Sequence, residues 1–145
     1  MKIAVINGPN LNLLGKREKE IYGDAVMDDG LQSLASHFPH ADIFYAQSNS
    51  ESELIGLIHQ ADREQRPVIL NPGGLTHCSV SLADAVKAVS VPVVEVHVSH
   101  IMARENYRKR SLVAAACKGT ISGFGLNSYL LAAYALQMQN QKTDQ

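Results

Sequence analysis

Hydrophobic residues along the chain fall into short continuous runs that alternate with longer segments of helical period. Most runs are apolar at nearly every position rather than at every second one, which is typical of parallel strands covered on both faces. The runs predict five strands, at residues 3–6, 43–46, 68–70, 93–98 and 120–122. Glycines bound the last of these strands.

The segments between the runs carry apolar residues at the spacing of an amphipathic helix. The clearest of these helices covers residues 54–61, and Ser50 and Glu53 ahead of it form the pattern of a capping box. Gly30 weakens a second predicted helix, because glycine is a poor helix former. The apolar positions of this second helix are Leu31, Leu34, Ala35 and Phe38. Those of the two remaining helices are Leu82, Ala85, Val86 and Val89, and Leu131, Tyr134, Ala135 and Met138.

Strand and helix alternate about five times, which indicates an open, doubly wound α/β sheet. At this length a flavodoxin-like three-layer sandwich is favoured, with a five-stranded parallel sheet of order 2-1-3-4-5. Periodicity alone does not determine the strand order. The 145 residues suit one domain over residues 1–145, and the polar segment 137–145 is expected to fray.

Composition narrows the class of protein. The chain is 46% hydrophobic and 19% charged, which is enough apolar material for a packed core, and its net charge of −1 disfavours general nucleic-acid binding. No apolar run is long enough for a membrane span, and the N-terminal run is too short for a signal peptide. Cys78 and Cys117 form neither a disulfide framework nor a four-ligand zinc site, so we expect a reduced, cytoplasmic protein.

Polar residues follow three of the predicted strands at the point where each strand ends. Residues 7–10 read Asn-Gly-Pro-Asn, residues 71–77 read Asn-Pro-Gly-Gly-Leu-Thr-His, and residues 95–100 read Glu-Val-His-Val-Ser-His. Turn formation alone explains any one of these loops. The carboxyl ends of parallel strands, however, meet at the edge where open α/β sheets bind ligands. Three clusters at that edge, two of them with histidine, predict a binding site.

Two further segments add charge to the same edge. Residues 11–23 form a connection longer than most in α/β domains, and we interpret it as a candidate lid that carries Tyr22 and several cations. A charged run of this kind also suits a solvated face. Beyond the fourth strand, Arg104 and Arg108 are four residues apart and would lie on one face of a helix, where guanidinium groups suit a carboxylate ligand.

Together these motifs resemble those of the type II 3-dehydroquinate dehydratases. The resemblance spans residues 3–136 and rests on residues 7–11, Arg17, Tyr22 with Gly23, residues 71–77, residues 95–99, Arg104 and Arg108. It implies subunits that assemble as trimers into a homododecamer. It also implies a hydro-lyase that converts the small molecule 3-dehydroquinate into 3-dehydroshikimate, with no metal or organic cofactor. The sequence leaves open whether this reaction serves the shikimate pathway of aromatic amino-acid biosynthesis or quinate breakdown.

The resemblance implies a catalytic role for four residues, Tyr22, Arg17, Asn10 and His97, and a supporting role for Arg104. Tyr22, as its anion, removes the proton next to the ketone, and Arg17 favours that anion and closes over the substrate. Arg104 is a second arginine near the tyrosine. Asn10 is associated with a water molecule that stabilises the enolate, and His97 protonates the departing hydroxyl.

The resemblance also implies a set of substrate-binding positions. The hydroxyls and carboxylate of the substrate are bound at Asn71, His77, Val98, Ser99 and Arg108. Asp84 corresponds to an acidic residue that a neighbouring subunit contributes. Departures from the family pattern at Cys78, His100 and Gly30 replace no matched catalytic position.

These residue types suit the chemistry, because dehydration of a β-hydroxy ketone needs a base, stabilisation of an enolate, and an acid. Arg17 and Arg104 are candidates to stabilise a phenolate at Tyr22 by opposite charge. Glu95 and His97 are two residues apart on a strand and project to one face, where the carboxylate would orient the imidazole. Pairing of Glu95 with an unrelated interior arginine is an equal alternative.

Other chemistries fit less well. No lysine stands at a strand end, as a Schiff base would require, and a zinc site of His77, His97 and His100 would need two rings that splay at one strand end. A Cys78 nucleophile is unfavourable, since adjacent residues rarely align for proton transfer. A non-catalytic binding module that kept the fold and its ligand edge is the alternative from another class.

Overall fold

The computed structural model describes residues 1–143 and has a central sheet of five parallel strands. The strands are β1 (Lys2–Asn7), β2 (Asp42–Gln47), β3 (Val68–Asn71), β4 (Val93–His97) and β5 (Gly119–Ser122). The helices are α1 (Lys19–Tyr22), α2 (Met27–His37), α3 (Glu51–Arg63), α4 (Val80–Ala88) and α5 (Asn127–Thr143). The strand order is β2-β1-β3-β4-β5, which confirms the predicted flavodoxin-like order.

Both faces of the sheet are covered, and alternate residues of a strand enter different cores. Ile3 and Val5 of β1 pack with α2 and α5, whereas Ala4 and Ile6 pack with α3 and α4. All four side chains are fully buried. This double coverage is the reason that the strands read as continuous apolar runs.

The start of α3 shows how a predicted cap is realised. The Ser50 hydroxyl accepts a hydrogen bond from the Glu53 amide at 3.3 Å, as predicted. The Glu53 carboxylate, however, accepts from the Ser48 hydroxyl at 2.7 Å, and that hydroxyl in turn accepts from the Ser50 amide at 3.0 Å. In place of the direct bond of a capping box, the Ser48 hydroxyl therefore bridges the Glu53 carboxylate and the Ser50 amide.

The connection from β4 to β5 differs from the predicted alternation, since it contains three short 3-10 turns instead of an α-helix. These turns are Ile101–Ala103, Asn106–Arg108 and Ala114–Ala116. Arg104 has extended backbone with φ −101° and ψ −158°, so the prediction of a shared helical face with Arg108 is wrong. The segment around the two arginines lacks an apolar stripe, and a short helix without one has little tertiary packing to stabilise it.

Helix α5 buries a different face from the one that the sequence pattern predicts. Leu131, Tyr134 and Met138 are 43%, 40% and 59% exposed. The face against the sheet consists of Tyr129, Ala132, Ala133 and Leu136, all fully buried. Small alanines allow close approach of helix and sheet, so the larger side chains point away.

The end of α5 lies in the polar segment 137–145. The helix continues to Thr143, residues 144 and 145 lie outside the described part of the chain, and fraying of the segment stays a prediction. Among residues 1–143, no helix is both long and apolar enough to cross a membrane.

Candidate active site

A cavity of about 100 Å³ opens at the carboxyl edge of β1, β3 and β4, where the three polar clusters were predicted to meet. The predicted site residues that line it are Asn10, Arg17, Tyr22, Asn71, His77, His97, Val98, Ser99, Arg104 and Arg108. Glu95 lies beneath His97 and is 1% exposed. Asp84 is the exception, because it lies on α4 at a separate cavity of about 510 Å³.

Two glycines allow the loops after β1 and β3 to pack backbone against backbone. A side chain at Gly8 would place its Cβ 2.6 Å from the carbonyl oxygen of Pro72. Gly73 has φ +59°, in the left-handed region, and a Cβ at this position would lie 3.0 Å from the carbonyl oxygen of Pro9. This close approach sets the floor of the cavity.

The phenol oxygen of Tyr22 lies between two guanidinium groups. Arg17 Nη2 donates to it at 2.8 Å and Arg104 Nη1 donates to it at 2.7 Å. Arg17 also lies over the ring, with Cζ 3.9 Å from the ring centroid. Two positively charged side chains therefore face one phenol oxygen.

Arg104 reaches this position although no helix directs it there. Its side chain is 11% exposed, and Nη1 also donates to the Ser99 hydroxyl at 3.2 Å. Its Nε is buried and lies 3.8 Å from the Glu105 carboxylate, which is too long for a hydrogen bond. Glu105 instead accepts from Nε of Arg108 at 2.8 Å. The salt bridge to Glu105 therefore restrains Arg108, and Arg104 is committed to Tyr22 and Ser99.

His97 is paired with the Glu95 carboxylate, which confirms that the two side chains share one face of β4. His97 Nε2 lies 2.5 Å from Glu95 Oε1. The same carboxylate accepts hydrogen bonds from Thr76 Oγ1 at 2.5 Å and from Ser111 Oγ at 3.0 Å. Burial alone would raise the pKa of Glu95, but the bonds from His97, Thr76 and Ser111 lower the pKa below its usual value. Within residues 1–143, the hydrogen-bond partners of the Glu95 carboxylate are Thr76, His97 and Ser111, and none of them is an arginine.

His77 stacks near His97 but is held by a different group. The ring centroids are 6.4 Å apart with an interplanar angle of 20°. His77 Nδ1 lies 2.7 Å from the backbone carbonyl of Arg110. Because a carbonyl only accepts, Nδ1 is the donor in this contact, and Nε2 is not used by it.

Asn71 is fixed by partners on both sides of its amide. Its Oδ1 accepts from the Gly73 amide at 3.1 Å, and its Nδ2 donates to the Tyr129 hydroxyl at 2.9 Å. Tyr129 in turn donates to Asn7 Oδ1 at 2.7 Å. Burial raises the pKa of the Tyr129 phenol, so this hydroxyl is neutral.

Sequence reasoning missed four residues that support the site. Ser128 and Tyr129 come from the first turn of α5, and the Ser128 hydroxyl donates to the backbone carbonyl of His97 at 3.2 Å. Thr76 and Ser111 converge on Glu95 from two separate loops. Residues 129, 132, 133 and 136 have the spacing of one helix face, and a buried face of this kind would place the Tyr129 hydroxyl in the interior. Because a buried tyrosine hydroxyl needs a polar partner, this spacing is the one signal that could have pointed to Tyr129. No comparable signal marks Ser111.

Histidine, cysteine and acidic side chains are the groups on which the two alternative chemistries, a zinc site and a thiol nucleophile, would depend. Within residues 1–143, no three histidine, cysteine, aspartate or glutamate side chains are grouped closely enough to hold a metal ion. Burial and the charge of Glu95 raise the pKa of Cys117 to about 12, which makes its thiol a poor nucleophile. Cys78 is exposed, and its Sγ lies 3.7 Å from the Gly74 carbonyl.

Comparison with known proteins gives one consistent result. The family described as dehydroquinase class II matches residues 1–137. The chain is 50% identical over 139 residues to the 3-dehydroquinate dehydratase of Caldicellulosiruptor saccharolyticus, covering 94% of this chain and 96% of that relative.

Solved structures agree with this match. The type II dehydroquinase of Butyrivibrio crossotus superposes with a TM-score of 0.91 at 38% identity, covering 94% of this chain and 97% of that one. The type II dehydroquinase of Propionibacterium acnes has a TM-score of 0.88 at 40% identity, with 94% and 96% coverage.

Proposed function

The chain belongs to the dehydroquinase class II family and is a 3-dehydroquinate dehydratase, a hydro-lyase, and from that premise we propose how its residues divide the reaction. The reaction removes water from 3-dehydroquinate to give 3-dehydroshikimate. One observation carries the proposal: a phenol oxygen held by two cations and an imidazole held by an anion line the same cavity.

Tyr22 is the base of the proposed mechanism. With Arg17 and Arg104 both donating to its oxygen, the phenolate accepts the proton next to the ketone, and the electron pair of that C–H bond forms an enolate. Asn10, which also lines the cavity, is proposed to hold a water molecule that stabilises the enolate oxygen.

His97 is the acid. The ionised Glu95 accepts from Nε2 and stabilises an imidazolium, so Nδ1 is the nitrogen that donates a proton to the departing hydroxyl. The enolate then collapses, the C–O bond breaks, and water leaves as the C=C bond of the enone forms. Tyr22 ends protonated and His97 neutral, so one proton must return to His97 and one must leave Tyr22 before the next turnover.

The substrate is held by groups of suitable charge and polarity around these two residues. The guanidinium of Arg108 suits the substrate carboxylate, with the segment of Val98 and Ser99 beside it. The Asn71 amide and Nε2 of His77 suit the hydroxyl groups. These assignments follow from the lining of the cavity and the resemblance to the family.

A direct assay tests the proposed activity. The purified chain, incubated with 3-dehydroquinate, should generate the near-ultraviolet absorbance of the conjugated enone product. Activity should persist with excess chelator and after treatment with borohydride in the presence of substrate. A ligand-binding module would bind without producing absorbance, inactivation by borohydride would indicate a lysine adduct, and loss on chelation reversed by zinc would indicate a metal site.

We also propose that subunits assemble as trimers and then as a dodecamer, and that Asp84 completes the active site of a neighbouring subunit. Asp84 is exposed on α4 and does not line the cavity that contains Tyr22 of its own chain. Leu131 and Met138 of α5 are exposed apolar residues that a neighbour would cover. A cytoplasmic location is proposed as well, since both cysteines are unpaired.

Complementation between inactive variants tests the shared site. Tyr22→Phe and Asp84→Arg chains, each inactive alone, should regain part of the activity when unfolded together and refolded as mixed oligomers. The recovery is expected because a mixed trimer can pair an intact Tyr22 site with an intact neighbouring Asp84. Asp28→Arg, a charge reversal on exposed α2, is the control and should keep full activity alone. A fully active monomer in light scattering would contradict the proposal.

A further inference from the structure

The first turn of α5 lies behind the active site, on the face of the sheet opposite to Glu95 and His97. Asn7 and Asn71 are the last residues of β1 and β3, and they are register partners in the parallel sheet. Both are buried, at 0% and 2% exposure, and Tyr129 of α5 contacts both side chains. A phenol with no exposed surface thus bridges two buried amides from neighbouring strands.

The direction of every hydrogen bond in this group follows from one backbone amide. The Gly73 N–H can only donate, so the atom of Asn71 that faces it must be Oδ1. Nδ2 of Asn71 then faces Tyr129 and donates to its hydroxyl, which leaves the hydroxyl proton for Asn7 Oδ1. These three bonds have one consistent arrangement of donors and acceptors, and Nδ2 of Asn7 is buried without a hydrogen-bond partner among the described residues.

This arrangement determines what Asn71 offers to a ligand. One N–H of the Asn71 amide is used by Tyr129, and the oxygen is used by Gly73. The second N–H of Nδ2 is left for the cavity that Asn71 lines. Asn71 therefore presents a donor of fixed direction, which suits a hydroxyl oxygen of the substrate.

We propose that Tyr129 is a positioning residue, which acts on the substrate through Asn71 by fixing the rotamer and the orientation of its amide. The proposal rests on the proposed role of Asn71 in substrate binding. Without the phenol oxygen, the buried Nδ2 of Asn71 loses its partner, and the amide no longer has a single preferred orientation. Substrate binding should weaken more than the chemical step, since Tyr129 contacts neither Tyr22 nor His97 through its hydroxyl.

A double-mutant cycle tests this action through Asn71. Tyr129→Phe should raise KM by about tenfold and change kcat by less than about threefold, which corresponds to a lost buried hydrogen bond. In an Asn71→Ala background the same substitution should change kcat/KM by less than about twofold, because its target is gone. Tyr134→Phe, on the exposed face of the same helix, is the matched control and should be neutral. Equal losses in both backgrounds would overturn the proposal.

A second readout does not depend on turnover, and therefore separates failure of this proposal from failure of the proposed function. In amide NMR spectra, the side-chain NH₂ signals of Asn71 should be slow to exchange with solvent in the wild type and in Tyr134→Phe, and fast in Tyr129→Phe. Unchanged exchange in Tyr129→Phe would refute the proposal. If Tyr129→Phe does not fold, Asn7→Ala takes its place, because it removes the acceptor of the phenol proton. In the double-mutant cycle, Asn7→Ala should then raise KM in the wild-type background and have little effect in the Asn71→Ala background.

Discussion

The two residues that we propose to transfer protons, Tyr22 and His97, stand in opposite electrostatic surroundings and on different kinds of structure. Tyr22 is half-buried at the end of a four-residue helix in the long connection after β1, and its partners Arg17 and Arg104 are both cations. His97 is the last residue of a central strand, and its partner Glu95 is an anion buried to 1% exposure.

The difference follows from what each residue must do. A base that starts as an anion gains from nearby positive charge, and an acid that starts as a cation gains from nearby negative charge. Burial of an isolated carboxylate costs free energy. For Glu95, hydrogen bonds from three side chains offset this cost, and they come from His97, Thr76 and Ser111. The base sits on a segment that we interpret as a lid, whereas the acid is built into the sheet and has a fixed position.

Removal of the base should have the largest effect. Tyr22→Phe should lower kcat by about 10³-fold or more while substrate affinity stays within about tenfold, because only the reacting oxygen is lost. Tyr107→Phe is the control, since Tyr107 is 63% exposed and keeps its ring beside Arg108. Substantial turnover in Tyr22→Phe, measured by product absorbance, would show that another group is the base.

Removal of a cation beside the base should have the next largest effect. Arg17→Ala should lower kcat by about 10²-fold, comparable to the loss of one charged donor at a developing anion. Arg17→Lys should recover part of the loss because it restores a cation, and Lys16→Ala, at the exposed neighbouring position, should keep the wild-type kcat. A wild-type kcat in Arg17→Ala, measured by product absorbance, would show that Arg17 does not assist the reaction.

Neutralisation of the anion beside the acid should have a smaller effect on turnover. Glu95→Gln keeps the shape of the side chain and should lower kcat by roughly 10–100-fold, the range for groups that orient a reacting histidine. Ser111→Ala, which removes one donor and leaves the charge, should show a fraction of this loss. A Glu95→Gln enzyme with wild-type kcat would show that the carboxylate has only a structural role.

The same carboxylate should also affect the stability of the fold, with a defined pH dependence. The pKa of Glu95 in the folded protein is below its usual value of 4.5. The stability that the ionised carboxylate adds to the fold is therefore present above pH 4.5 and is lost as the pH falls through the folded pKa. Wild type should exceed Glu95→Gln by about 1–3 kcal/mol in free energy of unfolding at pH 7. Chemical denaturation should show the two converging in acid, and Glu51→Gln is the exposed control. A pH-independent difference would contradict the assignment.

The sequence predicts the two halves of this site unequally, for a physical reason. The strands are continuous apolar runs, and a side chain that follows a strand end has its place in the sheet determined by local pattern, as with Asn71 and His97. The family resemblance added Tyr22 and its arginines, whose contact spans residues 17 to 104 and has no periodicity. Ser111 and Tyr129 were missed because their partners are distant in sequence and hydroxyl residues carry no distinctive spacing.

Errors in the predicted elements have the same origin. The pattern of large apolar residues on α5 selects Leu131, Tyr134 and Met138, but close packing selects the face with Ala132 and Ala133. The spacing of Arg104 and Arg108 suggests a helix, but the contact of Arg104 with Tyr22 requires extended backbone. Tertiary contacts override local propensity in both cases.

The bond between Asn7 and Tyr129 has a consequence for the order in which the enzyme becomes competent during synthesis. The two residues are 122 positions apart, so β1 is made long before the helix that holds its last side chain. At roughly 5–20 residues per second, the ribosome needs about 6–24 seconds to add the intervening chain. A nascent chain therefore has its base and its acid before it has the support behind Asn71. Truncation within α5 should leave a chain with every proposed catalytic side chain and an incomplete binding site.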